Sequence, residues 1–496
     1  MICVSIARGR HRHVIAEHRH LVQQGAKLIE LRLDYIDGEV NLKRLLTDRP
    51  SPVVVTCRRE RDGGKFNGTE EERLMLLRGA IAEGVEYIDL EDDVASMIPR
   101  YGKTKRIISV HDYRKTPDDL EEIHARLTTL DADVIKIATT ANQSHDNLRM
   151  LQLIERSKVP TVGICMGDIG TPSRILAGRF GAPFTFATFH HERTLAPGQL
   201  SYQQMTDIYH YDRIDRQTVV FGVIGDPIGH SLSPMVHNAA FRRAGINAVY
   251  VPFRVPREHL TQFLEDAPAL GIRGLSITIP HKEAVLKKLT SMDNTMAGIG
   301  AANTLMFGER GKVVGSNTDY QAALDSLEQA LMVHAGRKGT LDNQTALVLG
   351  AGGAAKAIAF GMKQMGAQVV IAGRTNQRAQ QLADALKCKS LDWLNRYSVQ
   401  PDVLINCTPV GMHPNVDATP YDKHHLRPSM VVFDTVYNPE NTLLVKDARS
   451  QSCTVVTGVE MFVRQACLQF KLFTSREAPG DLMREVLKRT IGPAKY

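Results

Sequence analysis

A recurrence in roughly the first two hundred positions restricts the fold of this chain most. Short apolar, β-branched runs return at close intervals: Cys3–Ala7, Leu28–Leu33, Val53–Cys57, Tyr87–Glu91, Arg106–His111, Val134–Ala138, Thr161–Cys165 and Phe184–Thr188. Between most of them lie stretches with helical spacing, such as Glu70–Glu83 and Leu120–Leu130. Eight strand–helix units in so short a length predict a compact (β/α)8 barrel, an α/β fold whose chemistry sits at the C-terminal strand ends. The full 496 residues exceed what one core serves, so two or three domains are expected.

Composition narrows the class. Hydrophobic content of 43% and charged content of 23% are ordinary for a globular protein, and no run of apolar residues is long enough to span a membrane. The N-terminal run Ile2–Ala7 precedes Arg8, Arg10 and Arg12, the reverse of the order in a signal peptide, so a cytoplasmic location is expected. Seven cysteines without a CxxC pair predict reduced thiols, with neither a disulfide framework nor a zinc site. A net charge of +7 without basic blocks suits anionic small molecules better than nucleic acid. The cluster His11, His13, His18, His20 reads as a solvated helix face, because no carboxylate or cysteine pattern completes a metal site.

The sixth run carries a lysine, Lys136, in its middle. A strand between helices is buried on both faces, burial disfavours an ammonium, and a neutral amine attacks carbonyls. A strand-end lysine that snorkels to solvent is the plain alternative. The neighbouring run ends on His111, and the pair suggests imine chemistry with proton abstraction. The other strand ends supply Glu30, Arg32 and Asp34, then Arg58 with the loop Asp62-Gly63-Gly64, then Asp89 and Glu91, Met166 with Ser173-Arg174, and Ala196-Pro197-Gly198-Gln199. Asp89 and Glu91 read as a charged layer that fills the barrel interior.

These pieces resemble type I 3-dehydroquinate dehydratase: Glu30-Leu-Arg-Leu-Asp34, Thr56-Cys-Arg58, Ser109-Val-His111-Asp112, Ile135-Lys136-Ile137, Ser173-Arg174 and Ala196-Pro-Gly-Gln199. The resemblance implies a Schiff base between Lys136 and the substrate ketone, with His111 moving the proton. It implies Arg174 on the substrate carboxylate and Glu30, Arg58 and Gln199 on the ring hydroxyls, with Ser5 and Arg32 also in the substrate site. Asp62 stands where the family has a glutamate that orients the histidine, and Leu195 where it has a serine. A class I aldolase, or a barrel kept only as a scaffold, is the alternative for this half.

The barrel pattern ends near Tyr202, and a polar joint, 210–217, places a boundary near residue 215. A new strand, Thr218–Ile224, runs into a loop with Ser231 and Ser233, and a later strand runs through Thr278 to Lys282. Asn303 and Asp319 follow; Lys282 and Asp319 read either as an exposed ion pair or as a proton-transfer pair. The strand Thr345–Leu349 leads into Gly350-Ala351-Gly352-Gly353-Ala354-Ala355, the helical stretch Lys356–Met365 and a second strand, Gln368–Ala372. This is a dinucleotide fingerprint in its βαβ context, with the pyrophosphate on the helix N-terminus. Gly373-Arg374-Thr375 and Arg378 close that second strand with arginines in place of an acid, so NADP(H) is expected over NAD. Strand-and-loop patterns follow at Asn406–Thr408 and Asp434–Pro439, then the helical stretch Gly458–Phe473 carrying Gln465.

The second half resembles shikimate dehydrogenase in Ser231-Leu-Ser-Pro234, Thr278-Ile-Pro-His-Lys282, Asn303-Thr, Asn317-Thr-Asp319, the glycine loop, Asp434 through Pro439, and Gln465. That resemblance implies a Lys282–Asp319 catalytic pair. It implies substrate contacts from Ser231, Ser233, Thr278, Asn303, Tyr437 and Gln465, and cofactor contacts from the loop, Arg374, Thr375, Arg378, Thr408 and Gly458. Gly373 stands where the family often has asparagine. The organisation expected is a barrel over 1–212, an α/β substrate domain over 218–318 plus 459–496, and a Rossmann NADP domain over 319–458. Together the halves would dehydrate 3-dehydroquinate and reduce the product with NADPH; a second half acting on quinate with NAD is the alternative.

Overall fold

A computed structural model describes residues 1–190, 192, 194–292, 294–335 and 341–492, so the last residues of the expected 459–496 segment lie outside it. By contact density the chain divides into two compact units, 1–220 with 247–271 and 221–246 with 272–496.

All eight expected strands of the first half form: β1 (Ile2–Ile6), β2 (Leu28–Arg32), β3 (Val53–Thr56), β4 (Tyr87–Glu91), β5 (Lys105–Asp112), β6 (Val134–Thr140), β7 (Thr161–Met166) and β8 (Thr185–Thr188). They pair in the order β7-β6-β5-β4-β3-β2-β1-β8, a nearly closed barrel. Pairing is parallel, with Ser5 beside Glu30 and Ser109 beside Lys136. Helices return the chain between strands. The helix Glu70–Ala82 shows why they form: Thr69 and Glu72 make a capping box, and three glutamates in the first turn complement the helix dipole. In the helix His11–Gln23, His18 corrects the expectation of a solvated face. It is 2% exposed, its Nε2 lies 2.8 Å from Ser51 Oγ, and burial pushes its imidazole down to about 4.

The second half supplies β9 (Val219–Gly225), β10 (Ala248–Arg254), β11 (Ile272–Ile277), β12 (Thr304–Phe307) and β13 (Val313–Ser316), a five-stranded sheet in the order β10-β9-β11-β12-β13. The β11–β12 and β12–β13 pairs are antiparallel. A second sheet contains β14 (Thr345–Leu349), β15 (Gln368–Gly373), β16 (Lys389–Asp392), β17 (Val403–Asn406), β18 (Val431–Asp434) and β19 (Thr454–Val456). Its order, β16-β15-β14-β17-β18-β19, is that of a doubly wound dinucleotide fold whose strand order reverses beside β14. Apolar side chains from both faces of this sheet, among them Val348, Ile371 and Ile405 on one and Leu347, Val370 and Leu404 on the other, are buried. No helix among the described residues is long and apolar enough to cross a membrane.

Candidate active sites

The inward face of the barrel changes character along its strands. At the floor, Cys3, Leu28, Val54, Ile107, Val134, Val162 and Phe184 pack as one apolar cluster, with Tyr87 against it. The strand period of two brings the same face round two residues later, and there stand Ser5, Glu30, Thr56, Asp89, Ser109 and Lys136, all buried. The next inward positions are Arg32, Arg58, Glu91 and His111. A cavity of about 520 Å3, its open mouth included, lies over this layer; Ser5, Glu30, Arg32, Arg58, His111, Lys136, Arg174 and Gln199 line it.

Lys136 Nζ donates to Asp89 Oδ2 at 2.8 Å, lies 3.7 Å from Glu30 Oε1, and sits 4.2 Å from the centre of the Phe186 ring. Asp89 also accepts from Arg58 Nη2 at 3.0 Å and Ser109 Oγ at 2.6 Å. Burial pushes the Asp89 carboxyl up, but Arg58 and Lys136 outweigh it and hold the group well below the usual carboxylate range. Glu30 accepts from Ser5 Oγ at 2.5 Å and Thr56 Oγ1 at 2.8 Å, and Lys136 and Arg32 likewise overcome burial to lower it. Arg32 is held by Asp34 through two hydrogen bonds, 2.9 and 2.7 Å. Glu91 pairs with Arg73 at 2.7 Å.

His111 Nδ1 lies 2.9 Å from Arg58 Nη1. Arginine has only donors, so Nδ1 accepts and the neutral ring carries its proton on Nε2. Burial first, then the Arg58 and Lys136 charges, drive this imidazole well below its ordinary value. Arg174, in the helix Thr171–Leu176, is 2% exposed, and no carboxylate pairs with it among the described residues. Its Nε has no hydrogen-bond partner, and burial pushes the guanidinium down to about 10. A buried arginine without an anion is costly unless a ligand supplies one. Gln199 Oε1 accepts from the Leu195 backbone N–H at 2.9 Å, and both residues line the cavity. Asp62 is turned away: its carboxylate accepts from Arg59 Nε at 2.5 Å, and Gly63 lines the cavity in its place.

Two features of the barrel site escaped sequence reasoning. Asp89, read as filler, is the carboxylate in contact with Lys136; its register opposite Ile107, one inward step below Ser109, is the signal that could have found it. Tyr113 and Phe186 line the cavity without any polar pattern to flag them.

In the second half, Lys282 Nζ donates to Asp319 Oδ2 at 2.5 Å. Asn303 sits beside this pair: its Oδ1 accepts from the Thr318 N–H at 2.7 Å, and its Nδ2 donates to Thr318 Oγ1 at 2.9 Å. Gln469, which sequence reasoning missed, donates to the Asn303 carbonyl at 3.2 Å and accepts from Ser276 Oγ at 2.7 Å. The glycine loop closes on the lysine, since a Cβ on Gly353 would come 2.9 Å from Lys282 Cδ. Tyr437 and Gln465 form another group around Phe462: the Tyr437 and Phe462 rings lie 4.7 Å apart, and Gln465 Nε2 donates to the Phe462 carbonyl at 3.0 Å. Ser231 and Ser233 stand at the start of the helix Ser233–Arg243, joined by a 3.4 Å bond from the Ser233 N–H to Ser231 Oγ. Thr278 follows β11, its methyl group against Gly225.

The dinucleotide loop is built for close approach. Gly350 has φ +115 and packs against the Cys407 carbonyl, and a Cβ on Gly352 would meet nothing within 4 Å. The helix Gly353–Gln364 begins without a side-chain cap, so the N–H groups beside Ala351 and Ala354 stay available to an anion. Arg374 and Arg378 are exposed, neither has an ion pair among the described residues, and Thr375 N-caps the helix Asn376–Leu386 without using its hydroxyl. These residues fit a dinucleotide with an extra phosphate. Thr408 is fixed by Asn406, whose Oδ1 accepts from its N–H and hydroxyl at 3.0 and 2.7 Å. Asn406 in turn donates to Asp434 at 2.9 Å. Gly458 is pressed against the Val436 carbonyl, 2.3 Å from where a Cβ would stand.

Both halves of the chain match known families. The type I 3-dehydroquinase family matches residues 2–216. The shikimate dehydrogenase substrate binding domain matches 223–305, the shikimate/quinate 5-dehydrogenase family 333–434, and the shikimate 5'-dehydrogenase C-terminal domain 458–488. The chloroplastic bifunctional 3-dehydroquinate dehydratase/shikimate dehydrogenase of Arabidopsis thaliana is 38% identical over 99% of this chain and 84% of its own length. The shikimate dehydrogenase (NADP(+)) of Methanothermobacter thermautotrophicus is 40% identical over 56% of this chain and 99% of its own. A crystal structure of shikimate dehydrogenase in complex with NADP+ is similar at a TM-score of 0.51 and 35% identity, covering 56% of this chain and 97% of that one. With both halves matched in order along one polypeptide, this chain belongs to the bifunctional 3-dehydroquinate dehydratase/shikimate dehydrogenase family.

Proposed function

We propose that the barrel dehydrates 3-dehydroquinate through a Schiff base on Lys136. The observation that carries this reading is one cavity holding a buried amine, a neutral histidine and an arginine that lacks an anion. Arg174 takes the substrate carboxylate, with its planar fork suited to two parallel bonds. Lys136 adds to the ketone, two protons from its nitrogen leave with the carbonyl oxygen as water, and a protonated imine remains. The imine draws electrons from the adjacent C–H bond, and His111 accepts that proton. An imidazole lone pair must be free at that moment, so Arg58 turns from Nδ1 to the ring hydroxyls that Glu30 and Gln199 also hold. The electron pair then expels the hydroxyl one carbon further on, His111 protonates it to water, and hydrolysis of the imine returns Lys136. Asp89 and Glu30 hold the amine in place, while Ser5 and Arg32 complete the wall. Asp62 acts on His111 only through the turn it belongs to.

The second half reduces 3-dehydroshikimate to shikimate with NADP(H). NADP(H), when bound, would supply the hydride for the carbonyl carbon. Lys282 gives a proton to the carbonyl oxygen, and Asp319 holds that lysine in line. Ser231, Ser233, Thr278, Asn303, Tyr437 and Gln465 bind the substrate. Gly350, Ala351, Gly352, Gly353 and Ala354 would hold the pyrophosphate, Arg374, Thr375 and Arg378 the 2'-phosphate, and Thr408 and Gly458 would add further cofactor contacts. The domains divide at 1–212, 218–318 plus 459–496, and 319–458. Seven free cysteines suit a reducing, cytoplasmic setting. The absence of a basic stripe in the sequence favours small anionic substrates over nucleic acid.

Borohydride trapping tests the central step. Substrate plus borohydride should label the chain irreversibly at Lys136, and Lys136→Ala should take no label. A labelled Lys136→Ala chain, or an unlabelled parent that still turns over, would overturn the imine.

A further inference from the structure

Tyr113 follows β5, two residues beyond His111. Its ring lies nearly parallel to the imidazole, with centroids 6.2 Å apart and planes inclined by 16°. Its hydroxyl donates to the Asp62 backbone carbonyl at 3.1 Å. Gly63 closes on the same hydroxyl, since a Cβ there would stand 2.1 Å from it. The Asp62 carboxylate is occupied by Arg59, which Asp93 holds in turn at 2.9 Å. The turn after β3 therefore reaches His111 through an aromatic ring and a phenol, not through a carboxylate.

We propose that Tyr113 is the positioning residue for His111 in the dehydratase reaction. The ring fixes the plane of the imidazole, and the phenol ties that ring to the Asp62–Gly63 turn. The need for such a strut follows from the site: the polar contact on His111 is Arg58, which has to leave for the base to work. A stacked ring keeps the imidazole aligned while that hydrogen bond is exchanged. Tyr113 also forms part of the cavity wall. The remaining charged groups facing His111 are Arg58 from the end of β3, Lys136 from β6, Asp89 from β4 and Arg32 from β2. The inference rests on His111 being the proton carrier proposed above.

Tyr113→Ala and Tyr113→Phe in the full chain test it, with dehydrogenase turnover of the same preparations reporting that the chain is folded. Tyr113→Ala should lower dehydratase kcat by about tenfold or more, a part of the roughly 10²–10⁴-fold that a positioned proton carrier supplies. Burial is the leading cause of the depressed imidazole, so exposing it should also move the acidic limb of the kcat profile to higher pH. Tyr113→Phe keeps the ring, so its limb should stay while kcat falls less. Borohydride labelling of Lys136 should persist in both variants. A Tyr113→Ala enzyme with kcat within twofold of the parent and an unmoved limb overturns the proposal, as does a loss of kcat matched by an equal loss of labelling. Failure of labelling in the parent chain instead overturns the imine reading beneath it.

Discussion

Asp89→Asn probes the charge layer under the dehydratase cavity. The carboxylate is 1% exposed and contacts two cations, Lys136 at 2.8 Å and Arg58 at 3.0 Å. Asparagine keeps the shape, can still accept from Arg58 and Ser109, and leaves the lysine without its nearest counter-charge. Removing one partner of a buried pair costs roughly 3–5 kcal/mol. Glu30 and Glu91 remain at 3.7 and 3.6 Å from the two cations, so the lower end, about 3 kcal/mol, is expected. For a unit of this size that corresponds to a fall in Tm of about 6–12 °C. The folded Asp89 titrates below its unfolded counterpart. Its stabilisation is therefore present above about pH 3.9 and lost as the pH falls toward the folded value, so parent and variant should converge in acid. Calorimetry would follow the barrel transition. The single tryptophan, Trp393, packs on the Rossmann core and reports the other unit by fluorescence. A barrel transition lowered by less than 2 °C at pH 7, or one that moves in step with the Trp393 signal, refutes the argument.

Two further outcomes are expected. Arg374→Ala should raise KM for NADPH at least tenfold more than KM for NADH, because a charge-assisted bond to phosphate is worth roughly 1.5–3 kcal/mol; steady-state kinetics with both cofactors checks it. Asp434 is fully buried with its carboxyl pushed up to about 6, and no cation pairs with it among the described residues. The folded value lies above the unfolded one, so stability falls as pH rises from about 4 through 6, by about 3 kcal/mol in all. Asp434→Asn should flatten that slope in urea midpoints read by Trp393 fluorescence between pH 4 and pH 7.5.

The barrel was legible because its strands alternate with helices at short range, and because charged residues take over the inward positions only near the C-terminal strand ends. Lys136, His111, Glu30 and Arg58 could be picked on that basis. Asp89 could not, because a carboxylate two residues before Glu91 looks like filler until strand register sets it beside Ser109 and Lys136. The family resemblance puts Asp62 at His111, whereas Arg59, three residues earlier, captures its carboxylate across a single tight turn. His18 follows the spacing of its exposed neighbours, and only packing against Ser51 reveals that it faces inward.

The helix Gly458–Thr474 has a consequence for the order in which the chain is made. Its Gln469 bonds to Asn303, Thr304 and Ser276, residues translated long before it. The barrel has all eight strands once Thr188 has left the ribosome, and domains fold from the N-terminal end during synthesis. The dehydrogenase cleft waits for the last helices. A nascent chain therefore holds a folded barrel beside an unfinished neighbour for most of its translation, and premature termination strips the reductase before it touches the dehydratase.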